Sequence, residues 1–139
     1  MDKQDEALKL LKDIKNISHL IEQLQEQIEV TYTELTNTTV KPKEINVQVS
    51  LPSDPMAEKV VQLVEYQNEL QEQQADLIAK KNTAIRVVKR LEIEEQQLLL
   101  YRYFKGLTIE QVADKMGFAS YHWTWEKIHR AETSFIENY

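Results

Sequence analysis

Apolar side chains recur near the start of the chain at Leu10, Ile14, Ile17, Ile21, Leu24, Ile28, Thr31 and Leu35, alternately four and three positions apart. A period close to 3.5 residues predicts one continuous helix with a heptad seam. Leu11, Leu20 and Tyr32 flank that seam, and a stripe this wide predicts more than one helical neighbour. The pattern stops at Thr36-Asn37-Thr38-Thr39, whose β-branched and amide side chains compete with helical backbone. All three prolines (Pro42, Pro52, Pro55) follow, and between them Ile45, Val47, Val49 and Leu51 alternate with polar residues. A lone alternating segment has no ladder partner here, so residues 36–54 are expected to form an extended connector laying its apolar side on the helices.

Asp54-Pro55 predicts the start of a second long helix, with Ser53 or Asp54 as cap and proline at the first helical position. Its seam reads Val60, Leu63, Gln67, Leu70, Gln74, Leu77, Lys81, Ala84, Val88 and Leu91. Gln67, Gln74 and Lys81 interrupt one seam position, the kind of polar insertion that fixes register or oligomer state. Two long helices joined by such a connector fold back most simply as an antiparallel, coiled-coil-like hairpin over residues 1–91. Association of two hairpins into a homo-oligomer is left open.

The seam ends at Glu92, and a tighter pattern fills residues 92–139. Leu98, Leu99, Leu100, Tyr101, Tyr103 and Phe104 form a short apolar helix stopped by Lys105-Gly106. Thr108 and Gln111 have capping-box spacing, and the helix they open presents Ile109, Val112, Ala113 and Met116 on one face. Gly117 closes it, and a last helix runs from about Ser120 through Ile136. A short helix with a small residue in its middle, a glycine turn and a second helix make a helix-turn-helix arrangement. Ala113 permits the close crossing, and Gly117 supplies the positive φ of the turn. The expected fold class is all-α.

Composition sharpens this picture. Two glycines are too few for a turn-rich β fold, and the chain has no cysteine, hence no disulfide framework, thiol nucleophile or zinc ribbon. No apolar run is long enough to span a membrane, and the acidic start is unlike a signal peptide, so a cytoplasmic protein with no membrane partner is expected. His122 and His129 lie seven apart and His19 far off, a spacing unsuited to a metal site. No phosphate loop or catalytic constellation is present, so neither an enzyme nor a cofactor is expected. The net charge of −6 opposes phosphate binding, yet its distribution is uneven. Residues 1–79 hold 7 basic and 15 acidic side chains, whereas residues 80–91 hold Lys80, Lys81, Arg86, Lys89 and Arg90 and no acid.

The stretch Leu98-Leu99-Leu100-Tyr101-Arg102-Tyr103-Phe104-Lys105-Gly106-Leu107-Thr108-Ile109-Glu110-Gln111-Val112-Ala113-Asp114-Lys115-Met116-Gly117 resembles region four of the sigma-70-like factors. The resemblance extends to small Firmicute phage and prophage proteins related to the ArpU- and RinA-type late transcription regulators. Asp54-Pro55-Met56-Ala57-Glu58-Lys59-Val60-Val61 looks like the start of their second helix, and Ile128-His129-Arg130-Ala131 like the motif of their last. The resemblance implies a helical hairpin bearing a DNA-binding module, in the cytoplasm of a bacterial host. Those proteins carry a β-branched anchor in the last helix. Counting back from Ile128 puts it at Trp125, and counting forward from Gly117 puts it nearer Trp123.

On one helical face fall Tyr121, Trp125, Ile128 and Phe135, the expected buried side. That leaves His122, Trp123, Glu126, Lys127 and Arg130 to face a DNA groove, with Lys80, Lys81, Arg86, Lys89 and Arg90 on the DNA backbone. Three functions follow. The first is a sequence-specific transcription regulator on double-stranded DNA. The second is an adaptor binding RNA polymerase or another protein through the sigma-like module and acidic hairpin, favoured by the negative C-terminal balance. The third is a DNA-packaging recognition subunit resembling a small terminase.

Overall fold

The computed structural model describes residues 2–39 and 54–139, and every element among them is helical. Two long helices, α1 (Lys3–Thr39) and α2 (Pro55–Val88), precede three short ones, α3 (Ile93–Leu99), α4 (Ile109–Met116) and α5 (Tyr121–Asn138). A π-helical turn, Leu100–Phe104, continues directly from α3. No helix among the described residues is long and apolar enough to cross a membrane.

The chain divides into two compact units, one formed by Met1–His19 with Ala75–Tyr139 and the other by Leu20–Gln74. The first unit holds the main core. Ala7, Leu11 and Ile14 of α1 share it with Ala84, Val87 and Val88 of α2, Leu98 and Leu99 of α3, Val112 of α4, and Ile128, Ala131 and Phe135 of α5. Burial of each leucine, isoleucine or phenylalanine contributes about 1.5–3 kcal/mol. The expected hairpin–module boundary at residues 91 and 92 therefore lies inside this unit, among residues that share one core.

In the second unit Ile21, Leu24 and Thr31 of α1 are buried, with Ile28 half-buried among them and Leu35 half-buried beyond, so the α1 seam lies where its spacing put it. Tyr32 does not flank that seam usefully, because it is 64% exposed. At the far end of this unit Lys59 of α2 pairs with Glu34 of α1. The helix was expected to stop at residues 36–39, but α1 continues through Thr39. Thr33 and Thr36 donate their hydroxyls to the carbonyls of Glu29 and Tyr32, at 2.9 and 2.8 Å. Threonine hydroxyls satisfied by the preceding turn no longer compete with the helix. The remainder of the expected connector, residues 40–53, lies outside the described residues.

Asp54 caps α2 by accepting from the Met56 amide at 3.0 Å, with Pro55 at the first helical position. Leu63, Leu70, Leu77, Ala84 and Leu91 face inward as expected. The other seam position is shifted by one residue over the first part of the helix. Val60, Gln67 and Gln74 are exposed, while Lys59, Tyr66 and Gln73 are half-buried; the expected position returns at Lys81 and Val88. A 3.6-residue turn drifts against a 3.5-residue repeat, and long amphipathic side chains such as Lys and Tyr tolerate the shift by lying along apolar surface. The glutamines therefore do not interrupt a buried seam.

Beyond α2, the Glu92 amide donates to the Glu95 carboxylate at 3.3 Å and Gln96 donates to the Leu91 carbonyl at 2.8 Å, fixing the start of α3. The π turn is closed by the Lys105 amide on the Leu100 carbonyl at 2.9 Å, and the Leu107 amide reaches the Tyr101 carbonyl at 3.0 Å. Gly106 exits that turn at φ 68°.

Candidate nucleic-acid interface

The geometry of the last two helices is set by their caps. Thr108 accepts from the Gln111 amide at 3.2 Å and the Gln111 side chain accepts from the Thr108 amide at 2.9 Å, the reciprocal pair that the spacing predicted. At the other end of α4, Gly117 sits at φ 74°, and the Phe118 amide returns to the Ala113 carbonyl at 2.9 Å. Ser120 then caps α5 by accepting from the Trp123 amide at 3.2 Å. The helices α4 and α5 pack on each other with Ala113 and Val112 buried on one side and Thr124, Ile128, Ala131 and Phe135 on the other.

That inner face corrects the expected one. Tyr121 and Trp125 were assigned to the core, but they are 56% and 40% exposed. The buried residue of the first turn is Thr124, between the two positions that counting from either end had given. Its hydroxyl donates to the Ser120 carbonyl at 2.8 Å, so burial leaves no polar atom unsatisfied. A small β-branched side chain suits a close helix contact where an indole does not.

With Thr124 turned inward, the outward face of α5 carries His122, Trp123, Glu126, Arg130 and, at its edge, Lys127. His122 Nε2 lies 3.1 Å from the Glu126 carboxylate. The Lys127 ammonium and the Arg130 guanidinium lie 5.0 and 5.7 Å from the Trp123 ring centre, cation–π contacts that hold both cations against one exposed indole. Lys127 is also held by Glu94 of α3 at 2.9 Å. Of the five residues expected to face a groove, His122, Trp123 and Arg130 are exposed, while Glu126 and Lys127 are half-buried.

The basic stretch of α2 is less available than its charge implies. Lys80 pairs with Asp76 at 3.3 Å, Lys81 lies 5.9 Å from the Phe104 ring centre, and Arg90 donates to the Asn138 carbonyl at 3.2 Å. Arg86 and Lys89 are exposed.

A second feature of the same unit escaped the sequence reading. Trp125 packs against His129 with ring centres 3.8 Å apart and planes tilted by 31°, and both line a groove of about 380 Å³ with Lys12 of α1 and Arg102 of the π turn. The Tyr103 hydroxyl at its base donates to the Glu132 carboxylate. Burial raises the Tyr103 pKa well above the ordinary value, and the neighbouring carboxylate raises it further. Lys15 on α1 is lowered, first by burial and then by the nearby Arg102 guanidinium. Nothing in the spacing of these residues marks the groove in advance, because three separate elements and an irregular turn assemble it. No metal-binding group of histidines and carboxylates occurs among the described residues.

Comparison with protein-family models, curated proteins and solved structures gave no match to this chain.

Proposed function

We propose that this chain is a phage- or prophage-type DNA-binding transcription regulator, in which α4 and α5 act as a sigma-like helix-turn-helix on an antiparallel helical hairpin. The observation that carries the reading is the outward face of α5. A helix capped at Ser120 and packed on α4 presents Trp123 with Lys127 and Arg130 gathered over its ring. Such a face suits the major groove, where arginine reads guanine edges and an apolar ring packs on thymine methyls. The two helices of the module are joined through the left-handed Gly117, the residue often found in the turn of a helix-turn-helix.

The test is the intrinsic fluorescence of the two tryptophans, Trp123 and Trp125, while fragmented bacterial or phage genomic DNA is titrated at low salt. A saturable change reversed by added salt supports the reading. A folded protein with no change opposes it.

One set of contacts favours a second reading, an adaptor for RNA polymerase or another protein. Glu94 holds Lys127 and Glu126 holds His122, so acids already engage two of the groove-facing residues. Val60, Val61 and Val64 of α2 are also exposed, on a strongly acidic part of the chain. Polymerase capture by the protein, with no DNA response, would select this alternative.

A further inference from the structure

We propose that the groove between the start of α1, the π turn and α5 is a nucleotide site, with a base lying against the Trp125–His129 wall and a phosphate held by Lys12 and Arg102. The inference goes beyond the α5 face, since the groove opens on another side of that helix.

Three observations carry it. The tilted pair of Trp125 and His129, with ring planes 31° apart, forms an aromatic wall, and Trp125 remains 40% exposed although it belongs to an otherwise well-packed unit. Aromatic side chains of this kind receive bases whatever their identity, because every base has a π face. Leu8, Ile109 and Ile136 provide an apolar lining, the mixture of apolar surface and few polar groups typical of small-ligand sites.

The cations are the third observation. Lys12 and Arg102 both line the groove, and Glu132 is the single carboxylate among the lining residues. That carboxylate is engaged by the Tyr103 hydroxyl. Arg102 uses one nitrogen on the Leu107 carbonyl at 2.8 Å, which fixes the guanidinium and leaves further donors. Two cations against one engaged carboxylate leave the groove locally positive in a chain of net charge −6. A phosphate suits such a site, and a planar guanidinium is well shaped to grip it. The π turn is what brings Arg102 and Tyr103 to one groove, and such turns recur at functional sites.

The nucleotide has two sources, a free mononucleotide or a base extruded from bound DNA, and only the second rests on the DNA-binding reading. Calorimetry of the full chain with adenosine monophosphate addresses the first. Saturable binding, weakened roughly tenfold by Lys12→Gln and by use of adenosine without its phosphate, supports a free-nucleotide site. Lys12 is exposed, so the variant leaves the core intact. The second source is read with a duplex carrying aminopurine at a mismatch, the cheapest position for extrusion. A fluorescence change on protein binding, lost in Trp125→Leu while duplex affinity persists, assigns the site to an extruded base. Duplex binding without either response overturns the groove and leaves the α5 reading standing. Mononucleotide binding without duplex binding does the reverse. A folded protein that gives neither nucleotide response overturns the proposal.

Discussion

Thr124 shows how one side chain decides what α5 can present. It sits between two tryptophans, and its burial turns both indoles outward. Sequence reasoning expected Trp125 inside because a large apolar ring gains most from burial. Close helix contact limits side-chain size, however, and Thr124 satisfies its hydroxyl on its own helix. Trp123 was expected outside and is exposed, with Arg130 over its ring. Arg130→Ala should therefore weaken duplex binding by about 1–3 kcal/mol, the range of a good base contact, with the melting temperature preserved. Lys127→Ala should have a smaller effect, because Glu94 competes for the ammonium. Its solvent-accessible pair with Glu94, in which Lys127 is half-buried, is worth at most about 1 kcal/mol of stability. Anisotropy titrations of both variants test the order, and equal losses would contradict it. Tyr103 offers a separate test by pH. Its folded-state pKa is raised, so its contribution to stability is complete below the ordinary tyrosine value of about 10 and is lost progressively above it. Denaturant unfolding should show an alkaline decline that Tyr103→Phe makes shallower. An unchanged slope would mean the Tyr103 phenol does not carry that linkage.

At the scale of elements, the turn after α4 is the feature most open to perturbation. Gly117 sits at φ 74° with no atom within 4 Å of an added Cβ, so Gly117→Ala meets only backbone strain. A cost of about 1–2 kcal/mol is expected in urea unfolding. Ala113 is 7% exposed, on α4 where it packs on α5. Ala113→Leu should destabilise by about 1–3 kcal/mol through overpacking, and an unchanged melting temperature would contradict the close contact. Both glycine stops, the Thr108 capping box, the Asp54 cap and the α1 seam were legible in the sequence, because caps and heptads are local signals. The α2 seam was legible in one position and displaced in the other, since which of two adjacent polar or apolar residues turns inward depends on the opposing helix. The extension of α1 to Thr39 was missed because threonine's effect depends on whether its hydroxyl bonds back within the helix. The π turn has no sequence signature of its own, and the groove built on it was illegible for that reason.

For the whole molecule, the proposed DNA binding turns on how many phosphates would be neutralised. If all five cations of residues 80–90 met the backbone, log K would fall against log salt with a slope near −4.5, at roughly −0.9 per phosphate. The structure reduces that expectation. Lys80 is paired with Asp76, Lys81 rests on Phe104 and Arg90 is bonded to Asn138. Of the five, Arg86 and Lys89 remain, about two phosphate contacts and a slope near −1.8. A net charge of −6 further weakens long-range attraction at low salt, so association should lack strong electrostatic acceleration. Salt titrations of duplex affinity separate these cases. A slope near −4.5 would require Lys80, Lys81 and Arg90 to leave their intramolecular partners on binding, and the double variant Lys80→Gln, Arg90→Gln would then flatten it. A slope of about −1.8 that the same variant leaves unchanged means Arg86 and Lys89 alone meet the phosphates, with the α5 face on the bases. A slope indistinguishable from zero would remove phosphate contact from the account. The acidic surface and exposed valines of α2 would then become the better guide to the partner.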